Sequence, residues 1–156
     1  WMSSGQDGSG YGIYAQRYDA NGNPVLDHLE WTGDASANLI RSTLETDWFS
    51  GGAGADTFQF AQSPGDRADL VTDFTQGSDA LALNSGLFNL QGQTVADTLA
   101  NVSGAQNEVA GAHLVFNQND HTLYYDADGA ANGNAVAVVT LAGVTTVTAS
   151  DVQMFV

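Results

Sequence analysis

The sequence contains no cysteine and no lysine, and only 2 of its 156 residues are proline. Without cysteine, the chain has no disulfide framework and no thiolate-ligated zinc. No apolar run approaches the roughly 20 residues that a membrane-spanning helix needs. No basic segment followed by an apolar one stands at the N-terminus. We therefore expect neither a disulfide-rich scaffold nor a membrane span.

The sequence also lacks the patterns of common catalytic sites. None of His28, His113 and His121 stands in an H-E-x-x-H motif, and no serine stands in G-x-S-x-G. Neither a lysine nor a cysteine is available as a nucleophile. Pairs of acidic residues can hydrolyse sugars, but the aspartates here stand at turn positions, which a role other than catalysis explains better. We expect no enzyme within these residues, and a catalytic domain elsewhere in a longer protein remains open.

Positive charge is scarce. The 18 acidic residues face only 3 basic ones, which are Arg17, Arg41 and Arg67, and the net charge is -15. This balance argues against nucleic acid or an anionic membrane surface as a partner. Self-repulsion also opposes a compact state unless cations neutralise it. The charge therefore favours a cation-binding protein, and acidity that serves only the solubility of a secreted protein is the alternative.

Glycine is abundant, with 18 residues, and valine, threonine, tyrosine and phenylalanine recur between turn residues. This composition predicts mostly β structure, and the length suits one domain or one domain plus part of another. Val95, Leu99 and Val102 recur at helical spacing and predict a short helix. The expected fold class is all-β with one short helix.

A nine-residue rhythm organises residues 33–59. The unit at 51–59, GGAGADTFQ, fits the pattern G-G-x-G-x-D-x-U-x, where U is apolar, at every defined position. Glycines allow the turn, the sixth-place aspartate supplies an anionic oxygen, and the eighth-place residue points into the core. Two more degenerate units precede it. The sixth places are Asn38, Asp47 and Asp56, and the eighth places are Ile40, Phe49 and Phe58.

This nonapeptide resembles the calcium-binding repeat of RTX, or hemolysin-type, proteins, which implies a short parallel β-roll. Each unit then forms half a coil, so that the first and third units lie on the same side. The middle unit has lost its glycines, which weakens its turn. A glycine-rich loop between two strands is the alternative. The resemblance implies calcium ligands from side chains and backbone carbonyls at Gly33, Ala35, Asn38, Asp47, Gly51, Ala53 and Asp56.

Residues 60–83 resemble the segment that closes the β-roll in serralysin-type metalloproteases and other RTX exoproteins. The resemblance rests on the order of three motifs: GGAGADTFQF ends the roll, and DLVTDF and QGSDALAL follow it. The resemblance implies that Asp69 and Asp73 complete the last calcium site, with Asp79 as a further candidate. Ordinary turn or cap aspartates are the alternative. We predict that the roll and its closing segment occupy residues 33–83.

Residues 84–156 are predicted to form a β-sandwich-like C-terminal domain. Strands near 113–116 and 122–125 flank a polar turn, and a longer turn leads into the strand at 136–141. In that longer turn, calcium at Asp126 and Asp128 is the alternative to a plain turn. The plain turn is favoured because no glutamate follows at the twelfth place. The ending TASDVQMFV resembles the uncleaved signal of proteins exported by type I secretion machinery.

Residues 1–24 resemble a unit found in tandem in large secreted bacterial proteins. We interpret residues 1–32 as the end of such a repeat plus a linker strand. An EF-hand is a minor alternative there, because Pro24 stands where that loop needs glycine. Its matching positions are Asp19, Asn21, Asn23, Leu26 and Glu30.

The sequence thus predicts the calcium-binding C-terminal module of a type I-secreted bacterial exoprotein, located outside the cell or on its surface. The module is expected to fold when calcium binds after export. The main alternative is a structural or adhesive subunit of a surface layer or fibre, which associates with itself or with other surface proteins through calcium. A carbohydrate-binding domain that uses Trp1, Trp31 and Trp48 is a weaker alternative.

Overall fold

The computed structural model describes residues 2–4, 11–15, 21, 28–62, 68–104 and 107–156. The strands are β1 (Met2–Ser4), β2 (Tyr11–Ala15), β3 (Leu29–Thr32), β4 (Leu39–Arg41), β5 (Asp47–Ser50), β6 (Thr57–Phe60), β7 (Asp69–Val71), β8 (Ala80–Asn84), β9 (Leu99–Val102), β10 (Leu114–Asn117), β11 (Thr122–Tyr125), β12 (Val136–Leu141) and β13 (Val152–Phe155). The helical elements are α1 (Val95–Thr98) and a 3-10 helix (Ala149–Asp151). The all-β class and the short helix that the sequence predicted are confirmed.

The strands form two sheets, between which the chain alternates from β3 to β8. The larger sheet has the order β1-β2-β3-β5-β7-β12-β11-β10-β9, and the smaller has the order β13-β8-β6-β4. Within the larger sheet β3, β5 and β7 are parallel, and within the smaller sheet β4, β6 and β8 are parallel. Strands β3 to β8 therefore form a parallel coil, in which each full coil contributes one strand to each sheet.

The register of the first coil follows the nine-residue rhythm. Leu39 of β4 lies opposite Thr57 of β6, and Leu29 of β3 lies opposite Asp47 of β5, so equivalent positions are 18 residues apart. The next coil is longer, because equivalent positions of β5 and β7 are 22 residues apart. The extra residues lie between β6 and β7, where residues 63–67 fall outside the described part.

The eighth-place residues form the centre of the core, as the sequence predicted. Ile40, Phe49 and Phe58 are 6%, 1% and 0% exposed. The rings of Phe49 and Phe58 lie 6.0 Å apart between centroids, and Phe74 packs 6.1 Å from Phe58. Burial of each such side chain stabilises the fold by about 1.5–3 kcal/mol, so the coil is held from inside by its apolar row.

The C-terminal residues continue the roll instead of forming a separate layer. Strand β12 pairs in parallel with β7, and β13 pairs in parallel with β8, so the two strands add a further coil. The hairpin of β10 and β11 extends the larger sheet. Val139 and Val152 belong to the same buried cluster as Phe49 and Phe58. Residues 33–83 and 84–156 therefore share both sheets and one core.

The helix α1 is shorter than its apolar spacing predicted. The side chain of Thr94 caps its start by accepting from the backbone N–H of Asp97 at 3.3 Å. The helix ends at Thr98, and Leu99 and Val102 then lie in β9, which pairs in parallel with β10. The prediction of a helix through Val102 was wrong because this pairing satisfies the backbone while Leu99 still packs against the core.

Candidate metal centre

Three turns of the roll lie at one edge of the molecule. Residues 33–38, 51–56 and 72–79 each follow a strand of the larger sheet and lead into a strand of the smaller sheet. Because the strands within each sheet are parallel, their corresponding ends meet at the same edge. The first and third nonapeptide units therefore lie side by side, as the sequence predicted.

A ladder of side chains joins these turns. The backbone N–H of Asn38 donates to Oδ1 of Asp56 at 2.8 Å, and the backbone N–H of Asp56 donates to Oδ1 of Asp79 at 3.0 Å. Asn38 also accepts from the N–H of Asp34 at 2.7 Å, and Asp79 accepts from the N–H of Thr75 at 2.7 Å. Asp79 therefore binds both its own turn and the preceding one, Asn38 binds its own turn, and Asp56 binds the preceding turn.

Asp56 departs from this pattern. By analogy, its second oxygen would accept from the N–H of Gly52, four residues earlier, but that N–H donates to Oδ2 of Asp73 at 2.9 Å. Asp73 also accepts from Gly51 N at 2.9 Å and from Ser50 Oγ at 2.7 Å. Oδ2 of Asp56 is consequently buried without a hydrogen-bond donor, and the whole residue is 1% exposed.

Glycines leave room for oxygen atoms to crowd between the first two turns. A Cβ atom at Gly33 would lie 1.9 Å from Oδ1 of Asn38 and 2.3 Å from the carbonyl oxygen of Gly51. A Cβ atom at Gly51 would lie 2.3 Å from Oδ2 of Asp56. Side-chain and carbonyl oxygens of the two turns thus converge on space that only glycine leaves open.

The facing turn contributes further carbonyl oxygens. Cβ atoms at Gly52 and Gly54 would lie 2.3 Å from the carbonyl oxygen of Asp34 and 2.6 Å from that of Ser36. Both glycines have positive φ, at 87° and 130°, which an L side chain adopts only with strain. Gly52 and Gly54, at the second and fourth places of the nonapeptide, therefore allow both the bend of their own turn and its close contact with the facing turn.

The site is strongly acidic. Burial raises the pKa of Asp56, the hydrogen bond from Asn38 lowers it, and the charges of Asp79, Asp73 and Asp34 raise it again. Among the described residues the only arginine is Arg41, which bonds to Gln59 in the adjacent strand at 2.6 Å. A buried carboxylate oxygen surrounded by like charge and by neutral oxygens is the environment that a hard divalent cation completes. The residues present therefore fit calcium.

The sequence prediction and the structure overlap in part at this centre. Asn38, Asp56, Gly33 and Gly51 lie together, and Asp73 accepts hydrogen bonds from the backbone N–H groups of Gly51 and Gly52. Ala35 and Ala53 lie in the same two turns, and Ala53 N donates to the carbonyl oxygen of Asp34 at 3.2 Å.

Two carbonyls that face the neighbouring turn were not predicted. They belong to Asp34 and Ser36, at the second and fourth places of the first unit. The pattern has glycine at both places, and a comparison of the first unit with that pattern would have drawn attention to them.

Asp47 and Asp69 lie at the other edge of the roll, at the starts of β5 and β7. Asp47 is fully buried and accepts from Thr43 N at 2.6 Å and from Trp31 Nε1 at 3.2 Å. Asp69 accepts from Asp47 N at 2.9 Å. Burial, opposed by this hydrogen bond and aided by the charge of Asp47, raises the pKa of Asp69 to about 7. At this edge a similar pair of side-chain to backbone hydrogen bonds, from Thr43 N to Asp47 and from Asp47 N to Asp69, stabilises a turn that lacks glycine.

Asp69 begins β7 and Asp73 follows its end, so the two residues lie at opposite edges of the roll. Asp79, in contrast, stands next to Asp56 in the ladder. Within the described ranges, no group of three histidine or acidic side chains could hold a metal ion alone. The candidate centre accordingly depends on backbone carbonyls and on Asn38 as well as on carboxylates.

The two described tryptophans, Trp31 and Trp48, do not share a face of the sheet. Trp31 lies opposite Phe49 in the sheet and packs against the core, whereas Trp48 lies opposite Glu30, is 42% exposed and stacks on His28 with centroids 4.0 Å apart. Trp1 and most of the EF-hand positions at 19–30 fall outside the described residues. The alternating orientation separates the two described tryptophans across the sheet.

Comparison with protein-family models and with curated proteins gives no match for this chain. No helix among the described residues has the length and apolar character that a membrane crossing requires.

Proposed function

We propose that this chain is a calcium-binding β-roll module of the RTX type, whose folding depends on calcium. The observation that carries the proposal is Oδ2 of Asp56, which is buried without a donor between two glycine turns. Native proteins rarely leave a buried carboxylate oxygen unpaired, because its desolvation is costly. A bound cation removes that cost.

The donor set suits calcium in particular. Oδ2 of Asp56, Oδ1 of Asn38 and the carbonyl oxygen of Gly51 would hold the ion, and calcium prefers a flexible shell of about 6 to 8 such oxygens. When bound, the ion supplies positive charge to a cluster that otherwise contains Asp34, Asp56, Asp73 and Asp79. No thiolate or imidazole takes part, so the site favours a hard cation over zinc.

Calcium binding and folding are coupled through the turns. Without the ion, the folded state must bury Asp56 next to three other carboxylates, which disfavours the compact coil. Ile40, Phe49 and Phe58 are buried directly behind these turns, so the core forms only when the turns close. Calcium that binds only the folded state stabilises it by mass action.

This coupling suits a protein that leaves the cell unfolded. Extracellular calcium modules have dissociation constants of about 10⁻⁴–10⁻³ M, so such a site stays largely empty where free calcium is far lower. The proposed path is export by type I secretion machinery, followed by folding outside. The net charge of -15 and the resemblance of the C-terminal residues to a type I signal support it.

Circular dichroism tests the proposal. The full chain should show little β-sheet signal in chelator and gain it at millimolar calcium, while magnesium at the same concentration should have a much smaller effect. Glu45→Gln, which neutralises an exposed acid at the other edge, should behave like the parent chain. A chain with the same β-sheet signal and the same melting temperature in chelator and in calcium would contradict the proposal.

A further inference from the structure

A second buried carboxylate lies far along the chain from the roll turns, in the turn that follows β11. Asp126 is 0% exposed. Its Oδ1 accepts from the backbone N–H groups of Asp128 at 3.2 Å and Gly129 at 3.1 Å. Its Oδ2 has no hydrogen-bond partner. Apart from Asp56, no other buried side-chain oxygen of the described residues is left in this state.

An exposed acid stands in the same turn as the orphan oxygen. The backbone N–H of Asp128 donates to Oδ1 of Asp126, so the two acids are neighbours in one tight turn. Asp128 is solvent exposed, so an ion can reach the turn from outside. The plain turn that the sequence favoured leaves Oδ2 of Asp126 without a partner.

Neutral oxygen-bearing side chains surround Asp128. Nδ2 atoms of Asn132 and Asn134 donate to Oδ2 of Asp128 at 2.8 and 3.0 Å, and the N–H of Ala130 donates to Oδ1 at 2.9 Å. Each asparagine also carries an amide oxygen, and rotation of the amide by half a turn exchanges the two ends. The turn therefore holds two carboxylates and two amide oxygens within reach of one another.

Other contacts hold the turn in place without using Oδ2 of Asp126. Glu108 accepts from the N–H of Gly133 at 2.6 Å and from that of Ala135. The ring Nδ1 of His113 contacts the carbonyl oxygen of Asp126 at 2.7 Å, and Gly111 N donates to the carbonyl oxygen of Gly129 at 2.9 Å. These contacts hold the backbone around Asp126, whose side chain is fully buried.

We propose that the turn at residues 126–134 binds a hard divalent cation, with calcium as the natural occupant, at a second site independent of the roll turns. Oδ2 of Asp126 is the buried ligand and the carboxylate of Asp128 is the exposed one. The amide oxygens of Asn132 and Asn134 are the neutral donors. Oxygen-only coordination with two carboxylates matches calcium and excludes a preference for zinc.

The position of the site suggests its role. Strands β11 and β12 flank the turn, and β12 pairs with β7 of the roll. An ion at Asp126 therefore stabilises the end of the molecule at which the last coil is added, whereas an ion at Asp56 stabilises the first coil. Calcium then acts on both ends of one continuous core.

Native mass spectrometry of the full chain in calcium tests the proposal by counting bound ions. Asp126→Asn should bind one ion fewer than the parent chain, because it removes the charge and places an N–H₂ group beside Asp128. Asp56→Asn should lose the ion of the roll and keep the ion of this turn. If the turn ion is absent from Asp56→Asn as well as from Asp126→Asn, the two sites are not independent and the proposal fails.

A second measurement covers the case in which Asp126→Asn does not fold. Asp128→Asn alters only an exposed side chain, and terbium can replace calcium and emit light by energy transfer from Tyr125, next to Asp126. Asp128→Asn should lower the apparent terbium affinity, measured from the tyrosine-sensitised emission, at least tenfold. Unchanged stoichiometry and unchanged terbium affinity in these variants would overturn the proposal and assign the pair to a shared proton or to water.

The two proposals fail separately. If Asp56→Asn binds as many ions as the parent chain while Asp126→Asn binds one fewer, the calcium centre of the roll is wrong and the site of this turn stands. If the reverse holds, only the roll binds calcium.

Discussion

The backbone N–H of Asn38 donates to Oδ1 of Asp56, 18 residues further along the chain, at 2.8 Å, and the other oxygen of the same carboxylate is buried without a donor. One carboxylate oxygen of Asp56 thus joins two turns by a hydrogen bond, while the other oxygen has no donor. The donor that the pattern would supply, Gly52 N, is held by Asp73.

Asp56→Asn should remove most of the effect of calcium on folding. Asparagine keeps an oxygen for Asn38 N and removes the buried charge, so in chelator the variant should retain more β-sheet signal than the parent chain. In millimolar calcium it should gain little. Thermal unfolding in both conditions measures this, with Glu45→Gln as the charge-matched control. If Asp56 were only a cap, both chains would respond to calcium equally.

Gly33→Ala should remove calcium binding at the roll. Its Cβ would lie 1.9 Å from Oδ1 of Asn38 and 2.3 Å from the carbonyl oxygen of Gly51, so the oxygens must move apart. We expect at least a tenfold weaker calcium response by titration calorimetry. Gly92→Ala is the control, because its Cβ meets nothing within 4 Å and its cost is the positive φ of 79° alone, about 1 kcal/mol. Equal calcium affinities in the two variants would count against the centre.

Phe58→Ala should raise the calcium concentration that folding needs. Phe58 is 0% exposed, and its truncation costs about 3–5 kcal/mol. Because folding and binding are coupled, a higher calcium concentration is needed to offset that loss. The midpoint of the calcium titration should therefore rise at least tenfold. Leu44→Ala is the control, since Leu44 is 85% exposed. Loss of stability with an unchanged calcium midpoint would show that core and site are not coupled.

The pKa of Asp69 gives the roll a pH dependence. Burial raises this pKa to about 7, above its value of about 4 in the unfolded chain. Below pH 4 the carboxyl group of Asp69 is protonated in both the folded and the unfolded state, and its contribution to the free energy of unfolding is fully present. As pH rises towards 7 the folded state alone keeps the proton, so stability falls, by on the order of 4 kcal/mol at most.

Asp69→Asn isolates that effect, because it keeps an oxygen for Asp47 N. In saturating calcium, the variant should become more stable relative to the parent chain between about pH 4 and 7, and the difference should then stay constant. Denaturant unfolding at several pH values measures it. A difference that does not change with pH would show that Asp69 titrates normally.

The nine-residue rhythm predicted the coil because it repeats both a polar and an apolar position. Phe49 and Phe58 are buried as expected, and β4 and β6 pair at the expected spacing. Such a pattern is local, and strand pairing between adjacent coils follows directly from it. The all-β class followed from the composition, in which β-branched and aromatic residues recur between turn residues.

The parts that the sequence did not predict depend on pairing between distant residues. Nothing local indicates that β12 would pair with β7 or that Leu99 would leave a helix for β9. The same holds for Asp73, whose capture of Gly52 N leaves Asp56 with a free oxygen. The burial of Asp126 beside the exposed Asp128 also depends on packing, since the turn residues alone favoured a plain turn.

Anomalous diffraction from crystals grown in calcium tests the central claim most directly. The account predicts an anomalous peak between the turns at 33–38 and 51–56, about 2.3–2.6 Å from Oδ2 of Asp56. Asn38 and the carbonyl oxygen of Gly51 should lie in the same shell. A map at saturating calcium with no peak there, and with Oδ2 of Asp56 bonded to water or to a protein donor, would contradict it.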